Sequence, residues 1–242
     1  MPDVAEVCSP ELERVYALAD ALAARDNFIT AISHELRNTV APLILLAEQF
    51  EQLAAPDSPL TSKLVMLTRN LRKFVATVDR VTEVAQLREG NFTLDLAMVD
   101  LTAVVADTTL HLKQLAVAGG VELIVHAPGP VFGRWDRVRL AQIVSNLVTN
   151  AIRYGIGDEV EIAVSERSSE VELSVRDHGP GIAPDELPGI FDRFDHRRSR
   201  SAGGFGVGLF IVKTLAVAMG GRATAANALQ GGARFSVVLP RS

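Results

Sequence analysis

The chain has 242 residues, 48% of them hydrophobic, and a formal net charge of -5. That hydrophobic share excludes a wholly disordered chain, and the mild acidity lacks the basic patch of a nucleic-acid binder. A single cysteine, Cys8, excludes an internal disulfide and suits a reducing cytosol. No uninterrupted apolar run reaches the ~18–20 residues that span a bilayer. The acidic start MPDVAEVCSPELER has neither the basic nor the apolar region of a signal peptide. A cytoplasmic protein is expected, taking any stimulus through an upstream sensor protein or through residues outside this chain.

From Leu12 the apolar positions alternate by three and four: Leu12, Val15, Ala19, Leu22, Ile29, Leu36, Val40, Leu43, Ala47 and Phe50. Asp26 and Ser33 hold the register. This is a heptad seam, and it predicts a long helix that buries a narrow stripe against other helices. The proline-containing AAPDSPL (54–60) reads as a turn. A second seam follows with the same spacing: Leu64, Leu67, Leu71, Phe74, Val78, Val81 and Ala85. Glu89-Gly90-Asn91 then reads as a helix stop. One α-helical hairpin leaves its stripe half covered. Two hairpins make a four-helix bundle, so a homodimer is expected.

After Asn91 the period changes. FTLDL, VELIVHA, VEIAVSE, VELSVRD and ARFSVVLP read as strands. Helical stretches lie between them at 101–118, 136–154 and 208–219. Mixed helices and strands predict a layered α+β domain. The expected organisation is a helical hairpin over 1–90 and an α+β sandwich over 91–242.

His34 stands in FITAISHELRNTVAPL, one position past the Ser33 seam, so its imidazole is expected to face solvent. A neutral imidazole is a good nucleophile near pH 7, and the adjacent Glu35 is placed to accept a proton from its other ring nitrogen. Alone, an exposed helical histidine is most often an ordinary surface residue. Here, His34-Glu35-Leu36-Arg37-Asn38, with the preceding Phe28 and Ser33, resembles the H-box of dimerising histidine kinases. The resemblance implies that His34 is the autophosphorylation site and Glu35 its general base. It also implies that Glu35 and Asn38 position water for dephosphorylating the partner. The usual proline after this pair is absent: Thr39 occupies its place, and the proline falls instead at Pro42. A helix-interior proline removes one backbone hydrogen bond, here to the Asn38 carbonyl, so a loosened turn shifted along the helix is expected.

Three signals mark the second half. On the helix over 136–154, Asn146 and Asn150 lie four apart and face one side, with Arg153 about a turn beyond. Their neutral carbonyl oxygens suit a Mg²⁺ that keeps most of its other ligands, although paired asparagines also serve structure. Asp177-His178-Gly179-Pro180-Gly181 follows a strand. Its carboxylate suits an exocyclic amine and its glycines a close backbone approach, though an ordinary Asp-Gly turn has the same form. Gly203-Gly204-Phe205-Gly206-Val207-Gly208 opens an apolar helix, where free N–H groups and the dipole favour phosphate. The same loop also reads as a hinge. It has no G-K-[ST] ending and no strand directly before it, so it is neither a Walker loop nor a Rossmann fingerprint.

In this order the three resemble the N-box and the two glycine boxes of the Bergerat-type ATP-binding fold shared by histidine kinases, DNA gyrase and heat-shock chaperones. Phe191 and Phe194 in IFDRF resemble the kinases' F-box, and the similarity runs through GGARFSVVLP. With the H-box it covers about Leu12 to Pro240. The resemblance implies that Asn150 holds Mg²⁺ and Asn146 supports the phosphate side. Arg153 would meet phosphate, and Tyr154 would stack on adenine. Asp177 would bind the adenine amine, with Gly179 and Gly181 shaping that wall. Gly204, Gly206 and Gly208 would cradle the phosphates of ATP. Arg197, Arg198 and Arg200 in the basic segment between Phe194 and Gly203 are candidates to neutralise transferring charge.

Hydrolytic relatives place a glutamate where this chain has Asn146, which is no base at neutral pH. Water attack is therefore expected to be slow, leaving His34 as the acceptor. The implied activity is that of a sensor histidine kinase: autophosphorylation from Mg-ATP, then transfer to an aspartate of a response regulator. The other reading is a non-catalytic dimeric adaptor or phosphotransfer protein that binds a response regulator; such proteins lose the glycines or the asparagine, both present here. His111, His126 and His178 form no zinc-type cluster, and Trp135 is expected to pack near the start of the Asn-bearing helix.

Overall fold

The computed structural model describes residues 32–33, 35–54, 58–88, 93–155, 159–192 and 207–242. They fall in two compact units, Met1–Phe92 and Thr93–Ser242. The first unit is a helical hairpin: α1 over 35–53 and α2 over Pro59–Arg88. In α1 the residues at one heptad position, Ser33, Val40 and Ala47, are buried. Leu36, Leu43 and Phe50, at the other, are exposed. In α2, Thr68, Val78 and Thr82 are buried, while Leu60, Leu67 and Phe74 are exposed at seven-residue intervals. Each helix thus turns one row inward and leaves a second apolar row on the surface. The seam residues Leu12, Val15, Ala19, Leu22 and Ile29, and the side chains of Val81 and Ala85, lie outside the described residues. Arg37 pairs with Asp79 across the hairpin, and Arg72 with Glu48 at 2.6 Å. The α1 helix continues through Pro42, and the Thr39 hydroxyl donates to the Glu35 carbonyl at 2.9 Å.

The second unit contains a five-stranded sheet in the order β2-β4-β5-β7-β6 and a two-stranded sheet of β1 and β3. Its strands are β1 Ala97–Asp100, β2 Glu122–His126, β3 Phe132–Trp135, β4 Glu159–Arg167, β5 Glu170–Asp177, β6 Arg222–Asn227 and β7 Ala233–Pro240. Its helices are α3 Leu101–Ala118, α4 Arg137–Tyr154 and α5 Gly208–Ala218. β2 runs parallel to β4, and the remaining pairs are antiparallel. Alternation decides the faces. Val160, Ile162 and Val164 of β4, Val171, Leu173 and Val175 of β5, and Phe235, Val237 and Leu239 of β7 are buried. The three helices pack on the sheet, α4 through Leu140, Ile143, Val144, Leu147 and Val148. Each such aliphatic side chain contributes about 1.5–3 kcal/mol on full burial. The result is a two-layer α+β sandwich.

The start of α4 is tied from two directions. Asp136 caps it, its Oδ1 accepting from the amides of Val138 at 2.9 Å and Arg139 at 3.1 Å, while Oδ2 accepts from the Asp95 amide at 3.0 Å. Such a cap contributes about 1 kcal/mol. Trp135, fully buried, donates its indole N–H to the Pro240 carbonyl at 2.7 Å, so it joins the approach to α4 to the end of β7. On the edge, Arg222 forks onto Glu170 at 2.7 and 2.9 Å; this hydrogen bond, aided by the charge of Arg222, holds the Glu170 carboxyl below its ordinary range.

One strand expectation is corrected. FTLDL (92–96) does not form a strand over 93–96. The strand is Ala97–Asp100, because β3 pairs there, Ala97 opposite Trp135 and Asp100 opposite Phe132. Two strands had no sequence signal: β3, a short segment holding Gly133, and β6, the alanine-rich RATAAN on the sheet edge.

Candidate nucleotide site

The site is built where the buried face of β5 ends. Asp177 continues the row of Val171, Leu173 and Val175, which turns its carboxylate inward, and it is only 5% exposed. A buried carboxylate needs partners. Oδ1 accepts from the Gly179 amide at 2.9 Å and from the Ala233 amide at 3.1 Å. Oδ2 takes no hydrogen bond from any described residue. The carboxylate is therefore clamped through one oxygen and offers the other as a fixed acceptor.

Backbone approaches crowd this corner. A Cβ on Gly179 would stand 2.9 Å from the Tyr154 carbonyl oxygen and 3.1 Å from Asp177 Oδ1. Gly181 adopts φ +76°, which turns the chain back toward Asn227. Gly232, at φ +82°, packs its Cα so close to Asp177 that any Cβ would overlap the Asp177 carbonyl. The end of α4 and the β6–β7 turn thus both meet the segment after β5.

On α4, Asn146 and Asn150 are half-buried and share one face, flanking the apolar packing row; Arg153 is exposed and Tyr154, the last residue, is half-buried. The Asn150 side chain makes no hydrogen bond with any described residue, so its amide oxygen remains available. The Asn146 Oδ1 lies 3.3 Å from where a Gly208 Cβ would stand, which sets the first residue of α5 against α4. Among the described residues no side chain caps α5, and the positive end of its dipole lies beside Asn146.

The structure thus seats Gly208 against Asn146, and gathers Asp177, Gly179 and Gly181 beside Tyr154 where α4 ends, with Asn150 and Arg153 between these two places along α4. Gly204, Gly206, Phe194, Arg197, Arg198 and Arg200 lie outside the described residues, as does His34. Glu35 and Asn38 are both exposed on α1, three residues apart and so on one side. Phe191 packs edge-on against Phe235, with ring centroids 6.3 Å apart. Two of the remaining histidines make local bonds. His111 bonds the Asp107 carbonyl at 2.6 Å, and His178 meets Glu161 at 2.9 Å. Sequence reasoning missed Asn227 and the close approach of Gly232, since only the GG preceding β7 hinted at a tight turn there.

Residues 135–242 match the family described as histidine kinase-, DNA gyrase B- and HSP90-like ATPase. The chain is 32% identical over 227 residues to the sensor-like histidine kinase SenX3 of Mycobacterium tuberculosis, covering 90% of this chain and 54% of SenX3. It is 33% identical over 228 residues to the sensor protein RstB of Escherichia coli, covering 90% of this chain and 49% of RstB. The crystal structure of full-length ShkA in complex with AMPPNP superposes with a TM-score of 0.77 at 28% identity, over 88% of this chain and 45% of ShkA. The chain spans about half the length of these relatives. No helix among the described residues is long and apolar enough to cross a membrane. With its ATPase-type sandwich preceded by a heptad hairpin, the chain is similar to the catalytic half of sensor histidine kinases, and its residues 135–242 carry their ATPase-type domain.

Proposed function

We propose that this chain binds Mg-ATP in its second unit, phosphorylates its own His34, and passes the phosphoryl group to an aspartate on the receiver domain of a response regulator. The observation that carries the ATP site is the half-used carboxylate of Asp177. Its Oδ1 is committed to two backbone amides, while Oδ2 waits as an acceptor at the mouth of a glycine-lined corner. That acceptor matches an exocyclic amine such as that of adenine. Asn150 would hold Mg²⁺ through its free carbonyl oxygen, with phosphate and water as the other ligands; the ion would neutralise phosphate charge. Asn146 and the N-terminus of α5 at Gly208 would face the phosphates, with Gly204 and Gly206 extending that cradle. Arg153 would meet phosphate, and Tyr154 would cover the base.

In the transfer step a lone pair on the His34 imidazole attacks the γ-phosphorus as the bond to the β–γ bridging oxygen breaks. ADP leaves, and Glu35 takes the proton from the other ring nitrogen. Attack by the regulator's aspartate then breaks the P–N bond. Glu35 and Asn38 sit together on α1, an arrangement that supports positioning of a water that hydrolyses the regulator's aspartyl phosphate, releasing inorganic phosphate. Asn146 in place of a general base disfavours simple hydrolysis.

Residues 1–90 would form the dimerising and phosphotransfer part, and residues 91–242 the catalytic ATP-binding part, in the cytoplasm. The exposed row of Leu36, Leu43, Phe50, Leu60, Leu67 and Phe74 supports a homodimer. A heptad-spaced apolar stripe left open by one hairpin is covered when a second copy completes a four-helix bundle.

The test is incubation with Mg-ATP followed by intact-mass measurement at neutral and acidic pH. A gain of one phosphate that acid removes is expected, because a protonated P–N bond hydrolyses readily. An acid-stable phosphate, or none, overturns the kinase reading, and binding of a regulator without labelling would favour a non-catalytic adaptor. A second result is expected at the base. In Asp177→Asn, Oδ1 is still drawn to the two amides, so the new NH₂ points at the adenine amine. Affinity for a fluorescent ATP analogue should fall by roughly tenfold to a hundredfold, the worth of one hydrogen bond to a charged acceptor.

A further inference from the structure

We infer that Asn227, a surface residue at the end of β6, is a positioning residue for the adenine wall. Its side-chain amide bonds both backbone groups of a single residue 45 positions away: Oδ1 accepts from the Ile182 amide at 2.7 Å, and Nδ2 donates to the Ile182 carbonyl at 2.7 Å. The pair reproduces with one side chain what a neighbouring strand would supply to Ile182.

Three features make this bond matter to the site rather than only to the sheet edge. Ile182 closes the segment that begins at Asp177 and contains Gly179 and Gly181. Gly181 directs the chain into the clamp: its φ of +76° is open to glycine, and a Cβ there would stand 2.8 Å from Asn227 Oδ1. The same β6–β7 turn holds the other end of the segment, through the Ala233 amide on Asp177 Oδ1 and the close packing of Gly232 against Asp177. One hairpin therefore grips the wall at both ends, at Asp177 and at Ile182. Ile182 is itself buried, which anchors the far end in the core. Without Asn227 the clamp on the Ile182 backbone is lost, while the Asp177 end stays gripped. The glycines between would sample a wider range of positions, and the wall would meet the purine less often in its binding geometry.

The assignment rests on the ATP site proposed above. It predicts a particular pattern of loss. The wall meets the base and not the phosphates, so Asn227→Ala should weaken ATP and ADP by the same factor, roughly tenfold for two hydrogen bonds forfeited at a partly hydrated position. Asn227→Ser, whose hydroxyl can serve one of the two backbone groups, should recover part of that loss. The experiment is calorimetric titration of the intact chain and both variants with Mg-ATP and Mg-ADP, with circular dichroism confirming the fold. An Asn227→Ala affinity within twofold of the parent overturns the inference, as does a loss confined to ATP. If Asn227→Ala does not fold, Asn227→Ser decides: weaker binding of both nucleotides supports the clamp, and parental binding overturns it. Failure of the parent chain to bind either nucleotide would instead sink the ATP-site proposal itself.

Discussion

His34→Gln should remove the acid-labile phosphate while leaving nucleotide binding intact. A glutamine amide has no lone pair of comparable nucleophilicity, because its nitrogen is conjugated to the carbonyl. Deleting a nucleophile typically lowers a rate by several orders of magnitude, so labelling from γ-labelled ATP should drop on the order of 10³-fold or more. Asn146, Asn150, Asp177 and Gly208 belong to the other unit, so affinity for Mg-ATP should stay within about twofold. Acid-labile phosphate retained by this variant would mean that a different residue accepts the phosphoryl group. Lost nucleotide binding would mean that the substitution has done more than remove the acceptor.

The second large effect is structural. Gly232→Ala should destabilise the Thr93–Ser242 unit and abolish its adenine corner together. The new methyl would overlap the carbonyl of Asp177, a backbone atom that cannot swing aside. The residue would also hold φ near +82°, which costs an L-residue about 1–2 kcal/mol before any clash. A combined cost above about 3 kcal/mol is expected, and for a unit of this size that lowers Tm by roughly 10 °C. Gly231→Ala is the control. Gly231 has φ +89°, yet a Cβ there meets nothing within 4 Å, so only the conformational cost applies. A thermal melt in which the two variants fall equally would show that the contact with Asp177 is not what makes Gly232 necessary. Whatever fold remains in Gly232→Ala should bind ATP poorly, since the same overlap displaces the carboxylate.

These effects and the Asn227 clamp converge on one arrangement. A single hairpin, β6–β7, carries the groups that hold the wall from Asp177 to Ile182, while α4 and α5 meet each other at Asn146 and Gly208. The phosphate side and the base side of the proposed pocket are thus supported by separate contacts. That separation is why variants on the β6–β7 side are expected to change ATP and ADP binding alike.

Periodicity alone determined the helical hairpin, the helices over 101–118, 136–154 and 208–219, and the strands β2, β4, β5 and β7. In each, the alternation of apolar residues states which side is buried, and burial is the dominant free-energy term. The motif residues were legible for a similar reason. Asn146 and Asn150 share a helix face by spacing, and Asp177 and its glycines stand at a strand end. Tertiary structure decided the rest. FTLDL has the pattern of a strand, but the chain pairs four residues later because β3 supplies partners only to Ala97–Asp100. RATAAN has little strand propensity and becomes β6 because β7 offers it a ladder. Asn227 looks like any polar residue before a turn until the fold sets it against Ile182. Gly232 looks like half of a flexible pair until the Asp177 carbonyl closes over it. Local pattern encodes which face of an element is apolar; it carries no record of which distant backbone group will arrive beside a given side chain.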